Sequence, residues 1–396
     1  MQCAKQQSVN EISCQVQSWA DCQISHVWPN QQVHSLHAYF NCCPESPDGQ
    51  WIVLFVSDQA DAHVGNLWLI NRHNQQTILI QEQVHVEDAH RQAMQQWVSD
   101  GKYLVYMSEQ NGRWQIKRFE MQTRKLTVIH DGAQLFVGSP EMDVVPLYGM
   151  PWQPDGHRDL VLLDVQTGET KTVLKLDQVF SDFTAEIQTI FPDVTPDAIA
   201  YPVISPDGSR VMFKLSAVGD GQYRSPHASQ REGLFVYQLD GAKPLGFYRS
   251  WGHPAWMADS RHILRMKMII DTDTMQVRQI PWYPARSNSH ASPSPDGKLL
   301  VMDVARDAFT QQEFHWAIVV GDVEHAWRHL HTDPSPRHGT ASWRPVHPHP
   351  VFSADGQRIY FNVHFGEWTR LCIAGIRKDF LCDPIISRED DRHVQD

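Results

Sequence analysis

The chain is 396 residues long, 41% hydrophobic and 20% charged. That is enough apolar material for a large core, and 22 Gly and 24 Pro are too few for a collagen-like or low-complexity chain. A net charge of −12 with no Lys/Arg cluster argues against nucleic acid, which needs a cationic face. No apolar run approaches the ~18–20 residues of a membrane span, and Met1 to Val16 lacks the apolar stretch of a secretory signal. The expectation is a cytoplasmic globular protein with neither a nucleic-acid nor a membrane partner.

In chain order, a turn signature followed by a β-rich run recurs. It occurs as Ser46-Pro47-Asp48-Gly49 before WIVLFVSD, Ser99-Asp100-Gly101 before KYLVYMSE and Ser205-Pro206-Asp207-Gly208 before SRVMFKL. It returns as Ala258-Asp259-Ser260 before RHILRMK, Ser294-Pro295-Asp296-Gly297 before KLLVMDV and Ser353-Ala354-Asp355-Gly356 before QRIYFNV. Pro presets φ, Asp bonds its own backbone, and Gly takes the positive φ that reverses the chain, so each copy reads as a hairpin.

Most copies run on to a third strand and a second turn, giving four antiparallel strands per unit. The 107 residues between Asp100 and Asp207 leave room for one unmarked unit. Pro154-Asp155-Gly156 resembles its turn but is out of phase, since the third-strand-like run DLVLLDVQTGE follows at once. Only Asp177 to Ile190 suggests a helix. The expectation is an all-β, seven-bladed β-propeller of four-stranded antiparallel blades occupying 1–396 as one domain. Residues near Val16 to Val27 would supply the outer strand of the last blade.

Of the seven cysteines, five fall in the first 43 residues and none forms a CxxC pair, which reads as reduced thiols. The 22 histidines and 14 tryptophans exceed ordinary usage, and several histidines share a register. Six residues before the turn Asp stand Cys42, Met94, Tyr201, His253, His290 and His349, with His347 two residues earlier on the same strand face. Three adjacent blades therefore point histidines at one level of the central channel. A His-x-His pair on one strand, with a third His from the neighbouring blade, forms a facial set suited to Mn, Fe, Ni or Zn. Further candidates near the mouth are His90 and Arg91, Tyr223 and Arg224, His227, Arg231 and His338. Together they offer cations to a polyanionic sugar.

At these motifs the chain resembles the oligogalacturonate lyases, a polysaccharide-lyase family of seven-bladed propellers, typically cytoplasmic, that bind a divalent metal, usually manganese. The resemblance rests on His37, Tyr39, Phe40 and Cys42 in blade one, Pro226, His227 and Arg231 in blade four, and His253 in blade five. It continues through Ser289-His290, His338 to Trp343, and the His-Pro-His-Pro-x-Phe of His347 to Phe352, the most specific of them. It implies His290, His347 and His349 as metal ligands, His253 as catalytic base and Arg231 as catalytic arginine. It also implies an acidic oligosaccharide substrate, for which Arg224, His90, Arg91, Tyr201, His338 and Arg344 are the candidate binding residues. One departure is that the family's Gln three residues before His-Pro-His-Pro is Arg344 here, so the fourth ligand is open, and Arg224 competes with Arg231.

β-Elimination of a 4-linked uronate fits these residue types. Removing the weakly acidic C5 proton needs a base titrating near the working pH, such as histidine. The charge that then grows on the C6 carboxylate needs a metal or cations. A lyase or hydrolase acting on another acidic glycan, and a non-catalytic TolB-like propeller binding a peptide or protein, are the alternatives. A prolyl-oligopeptidase-type peptidase is disfavoured because no Gly-x-Ser-x-Gly elbow is present.

Overall fold

The computed structural model describes residues 24–87, 89–149, 157–217, 232–280, 290–305, 316–322, 327–333 and 347–376. The expected turns form as their chemistry dictates. In the first, the amide of Gly49 donates to the carbonyl of Ser46 (2.8 Å), and the amide of Trp51 donates to Ser46 Oγ (2.9 Å). Gly49 sits at φ 72°, a conformation that glycine adopts without strain. The same bonds recur at Ser205, Ser294 and Ser353. These turns join the strand before them to a long apolar strand in antiparallel register, as in Ile204↔Val211, Pro293↔Leu300 and Phe352↔Ile359.

Among the described residues, four sheets have four strands each. One of them, Ala198–Ile204, Arg210–Ser216, Glu232–Gln238 and Lys243–Ser250, follows strictly in chain order. The remaining sheet has twelve strands and holds the first, second and last runs together. Connectivity alone therefore does not resolve separate blades or a closed ring. Ser35 pairs with Arg370 in parallel, and His85 pairs with Glu109, fusing neighbouring runs at their edges. The N-terminal strand Ile24–His26 lies antiparallel on the outer strand Trp368–Gly375, with Ile24 opposite Ala374, where the sequence led one to expect it.

The unmarked unit has its turn at Ser139-Pro140-Glu141-Met142, where the amide of Met142 donates to the carbonyl of Ser139 (3.1 Å). It joins Gln134–Leu135 to Val144–Tyr148. Glu and Met replace the usual Asp and Gly, which concealed it; Pro154-Asp155-Gly156 lies outside the described residues. The expected helical stretch forms two short helices, Leu176–Asp182 and Thr184–Ile190, broken at Phe183. Their buried Leu176, Val179, Ile187 and Ile190 pack with Phe213, Phe235 and Tyr237.

Successive units interlock by a repeated bond. Trp97, three residues before its turn Asp, donates Nε1–H to the carbonyl of Pro44 in the preceding unit (2.9 Å). Trp256 does the same to Val203 (3.0 Å). The pre-turn segments of all these units, the one at Ser139 included, line a single cavity of about 400 Å³ on the turn side. Tyr39 and Phe40, both buried, lie between that cavity and the histidines.

Candidate active site and metal centre

The chain enters several of the innermost strands through a left-handed residue. Met94, Tyr201, His253 and His349, all six residues before the turn acid, have φ of 48°, 54°, 53° and 48°. Non-glycine residues held there cost of order 1–3 kcal/mol each and cluster at functional sites. The His-Pro-His-Pro segment is consequently not regular strand, as the period-2 reading required; the strand begins only at Val351. The kink still delivers both rings to one place, with centroids 5.6 Å apart.

His290, His347 and His349 come together as expected, and His90 joins them. These four imidazoles offer nitrogens that all lie within 4.8 Å of one another. The rings of His290 and His349 are 4.5 Å apart, and His90 is 4.6 Å from both His347 and His349. His349 is fully buried, and neither of its ring nitrogens has a hydrogen-bond partner among the described residues. Burial, reinforced by the neighbouring histidines, holds its pKa well below the ordinary imidazole value, so it is neutral with a lone pair to offer. Buried polar atoms are nearly always satisfied. A set of close imidazoles, three of them buried, is what a divalent transition ion takes. The residues present therefore fit the group that the resemblance implies, with a histidine where a fourth ligand was open.

Beneath the cluster, Tyr39 packs 4.8 Å from His349 and Phe40 5.0 Å from His290, giving the site an apolar floor. His347 rests on Trp316 (4.7 Å). Cys42 shares the histidines' register, but burial raises its thiol to about 12 and it lines the turn-side cavity. It brings no thiolate to the cluster.

His253 is half-buried, with its ring 4.5 Å from His290, and stands outside the four-histidine group. The Arg265 guanidinium steadies the approach to it: Nε donates to the carbonyls of Ser250 (2.8 Å) and Trp251 (3.0 Å). Tyr201 and Arg91 form a second group. The Arg91 guanidinium lies 5.5 Å from the Tyr201 ring, donates to Tyr148 Oη (3.1 Å) and pairs with Glu87 (2.6 Å). Lys214, buried, places its ammonium 4.7 Å from the same ring. Phe136 connects the two groups, 5.3 Å from Tyr201 and 6.2 Å from Tyr39. Arg231, Arg224, His338 and Arg344 lie outside the described residues.

Sequence reasoning missed Lys214 and Asp303. Both stand seven residues after a turn Asp, as does Asn362, each a lone polar side chain in an otherwise apolar inner run. That interruption was the available signal, since such residues are seldom fully buried without a partner. Asn362 donates to the carbonyl of His347 (3.3 Å) and accepts from the amide of His37 (3.3 Å).

No protein-family model matches the chain, and no curated protein does either. Solved structures do. An oligogalacturonate lyase in complex with manganese superposes at TM-score 0.63 with 18% identity, covering 91% of this chain and 95% of that one. The chain resembles oligogalacturonate lyases in fold. A second such lyase, from Vibrio parahaemolyticus, gives TM-score 0.63 at 15% identity over 90% of this chain and 94% of that one. The β-propeller domain of Cps50 (Swd1) from Myceliophteria thermophila gives 0.50 at 8% identity over 87% and 99%. The similarity to the two lyases thus spans nearly the whole of both chains. At these identities it establishes the all-β, propeller-like architecture, while the chemistry must be argued from the residues.

Proposed function

We propose that the chain is a single seven-bladed propeller acting in the cytoplasm as a metal-dependent lyase on short oligouronides, cleaving by β-elimination to 4,5-unsaturated products. The observation that carries this reading is the convergence of His90, His290, His347 and His349 within 4.8 Å, all but His347 buried. A protein that merely docks a peptide has no use for it. His90, His290, His347 and His349 would hold the divalent ion, with manganese the first candidate because one similar lyase is a manganese complex. When bound, that ion supplies Lewis-acid stabilisation of charge on the C6 carboxylate.

The remaining work falls to side chains. His253, beside the cluster and outside it, takes the C5 proton. The electron pair of that C–H bond becomes the C4=C5 double bond as the C4–O bond breaks, and the departing oxygen takes up a proton. Arg91 and Lys214, flanking the Tyr201 ring, bind uronate carboxylates. Arg231 stays the proposed catalytic arginine with Arg224 its rival, and His338 and Arg344 stay proposed substrate contacts.

Incubating the purified, manganese-loaded protein with a panel of oligouronates tests this directly. The expected result is growth of the ultraviolet absorbance of a 4,5-unsaturated uronide with at least one of them. Silence across the panel in a protein shown to carry its ion would refute the lyase reading.

A further inference from the structure

Asp303 is completely buried in the middle of the apolar strand Leu299–Ala305, and its carboxylate is spent on two of the clustered histidines. Oδ1 accepts from the backbone amide of His290 (2.7 Å), and Oδ2 from the backbone amide of His349 (3.1 Å). Both oxygens also face Nδ1 of the His290 ring, at 3.2 and 3.1 Å. One carboxylate thus ties two neighbouring strand entries, those of His290 and His349, to one imidazole.

We propose that Asp303 is the positioning residue of this site, keeping the His290 proton on Nδ1 so that Nε2 is the nitrogen presented to a metal. An ionised carboxylate only accepts, so the ring nitrogen against it must carry the hydrogen. The other nitrogen then keeps its lone pair, and the carboxylate makes it a better donor. The bonds to both backbone amides fix the separation between the His290 and His349 entries, so the ligands arrive already placed. The buried negative charge also offsets part of the charge of a divalent ion held by neutral imidazoles. This inference rests on the metal reading above and adds the residue that prepares the site for it.

Asp303→Asn separates the role from simple packing, because the amide has nearly the same shape. Whichever way it turns, its NH2 meets a backbone N–H or the His290 ring; facing Nδ1, it moves the ring proton to Nε2 and removes a ligand. Titration with Mn2+ and with Co2+, followed by visible absorption, should show affinity weakened ~10–100-fold and an altered Co2+ spectrum. In a His290→Gln background the same change should cost clearly less than in the unsubstituted protein, since the part acting through the His290 ring is already lost while the backbone bonds and the charge remain. Nitrogen-15 histidine NMR of the unsubstituted, metal-free protein should show His290 as the Nδ1–H tautomer, an observation that stands even if the variant does not fold.

Unchanged affinity and spectrum in Asp303→Asn, an equal loss in both backgrounds, or an Nε2–H tautomer would each overturn this inference alone. Failure of the unsubstituted protein to bind either ion would overturn the metal reading and this inference with it.

Discussion

His253 stands beside the four-histidine cluster, whereas His90, expected among the substrate contacts, lies within it. His253 shares its register with His290 and His349, whereas His90 has no counterpart in that register, yet His90 completes the group of four and His253 stands beside it. His253→Ala should therefore keep its full metal content and lower turnover ~10²–10⁴-fold, the range for a positioned acid–base group, as read by elemental analysis and steady-state kinetics. Proportional loss of metal and activity would make it a ligand instead. His90→Ala should weaken Mn2+ by more than the ~10–100-fold typical of losing an outer-shell partner, as read by calorimetry, because it removes a direct ligand. His347→Ala with His349→Ala should empty the site while circular dichroism shows the β-structure retained, since the core clusters are built of apolar side chains and include none of the four histidines.

At the level of the strand, a tryptophan three residues before the turn acid couples one unit to its predecessor, at Trp97 and again at Trp256. This accounts for part of the unusual tryptophan usage. Trp256→Phe retains most of the apolar contact but leaves the buried carbonyl of Val203 without its donor. It should cost ~1–3 kcal/mol in urea denaturation, and a change below about 0.3 kcal/mol would show that the indole N–H contributes nothing. The turn at Ser139-Pro140-Glu141-Met142 carries a related lesson. Its closing bond, from the amide of Met142 to the carbonyl of Ser139, matches that of the Asp-Gly turns, whereas the Ser139 hydroxyl donates to the carbonyl of Pro206 rather than to the turn acid.

Across the whole molecule, the junction between the first and last runs is held by polar groups. Arg358 makes a bidentate pair with the buried Glu45 (2.6 and 2.9 Å). The amide of Thr369 donates to Nδ1 of His34 (3.0 Å), a bond only the unprotonated ring can accept. Burial lowers the pKa of His34 to about 4, against an unfolded value of about 6.5. The unfolded chain therefore binds the proton first as pH falls, so this contribution is complete above pH 6.5 and drains away toward pH 4. At pH 5 it amounts to a loss of ~2 kcal/mol. His34→Asn, whose side-chain oxygen can still accept from Thr369, should lose ~2 kcal/mol less than the unsubstituted protein between pH 7.5 and pH 5 in urea denaturation; equal losses would place the acid sensitivity elsewhere. Removing the pair with Arg358→Ala should cost ~1.5–3 kcal/mol, since Glu45 keeps the Tyr360 hydroxyl and the nearby Arg72, again read as a shift in urea midpoint.

By itself the sequence determined the local geometry. Ser-Pro-Asp-Gly can do little but turn, alternating apolar runs after such turns can do little but pair, and the helical period at 177–190 formed helices. Register counted from the turns was enough to bring His290 and His349 to one level, because equal offsets within similar hairpins occupy similar places, whereas His347 arrives through the left-handed turn at His349. The tertiary structure alone decided what crosses between units. His90 reaches the cluster from a turn with no repeat register, Asp303 serves histidines on two different strands, and Lys214 meets Arg91 over one tyrosine ring. Such contacts depend on how units rotate and stack against one another, and no spacing within a single unit encodes that.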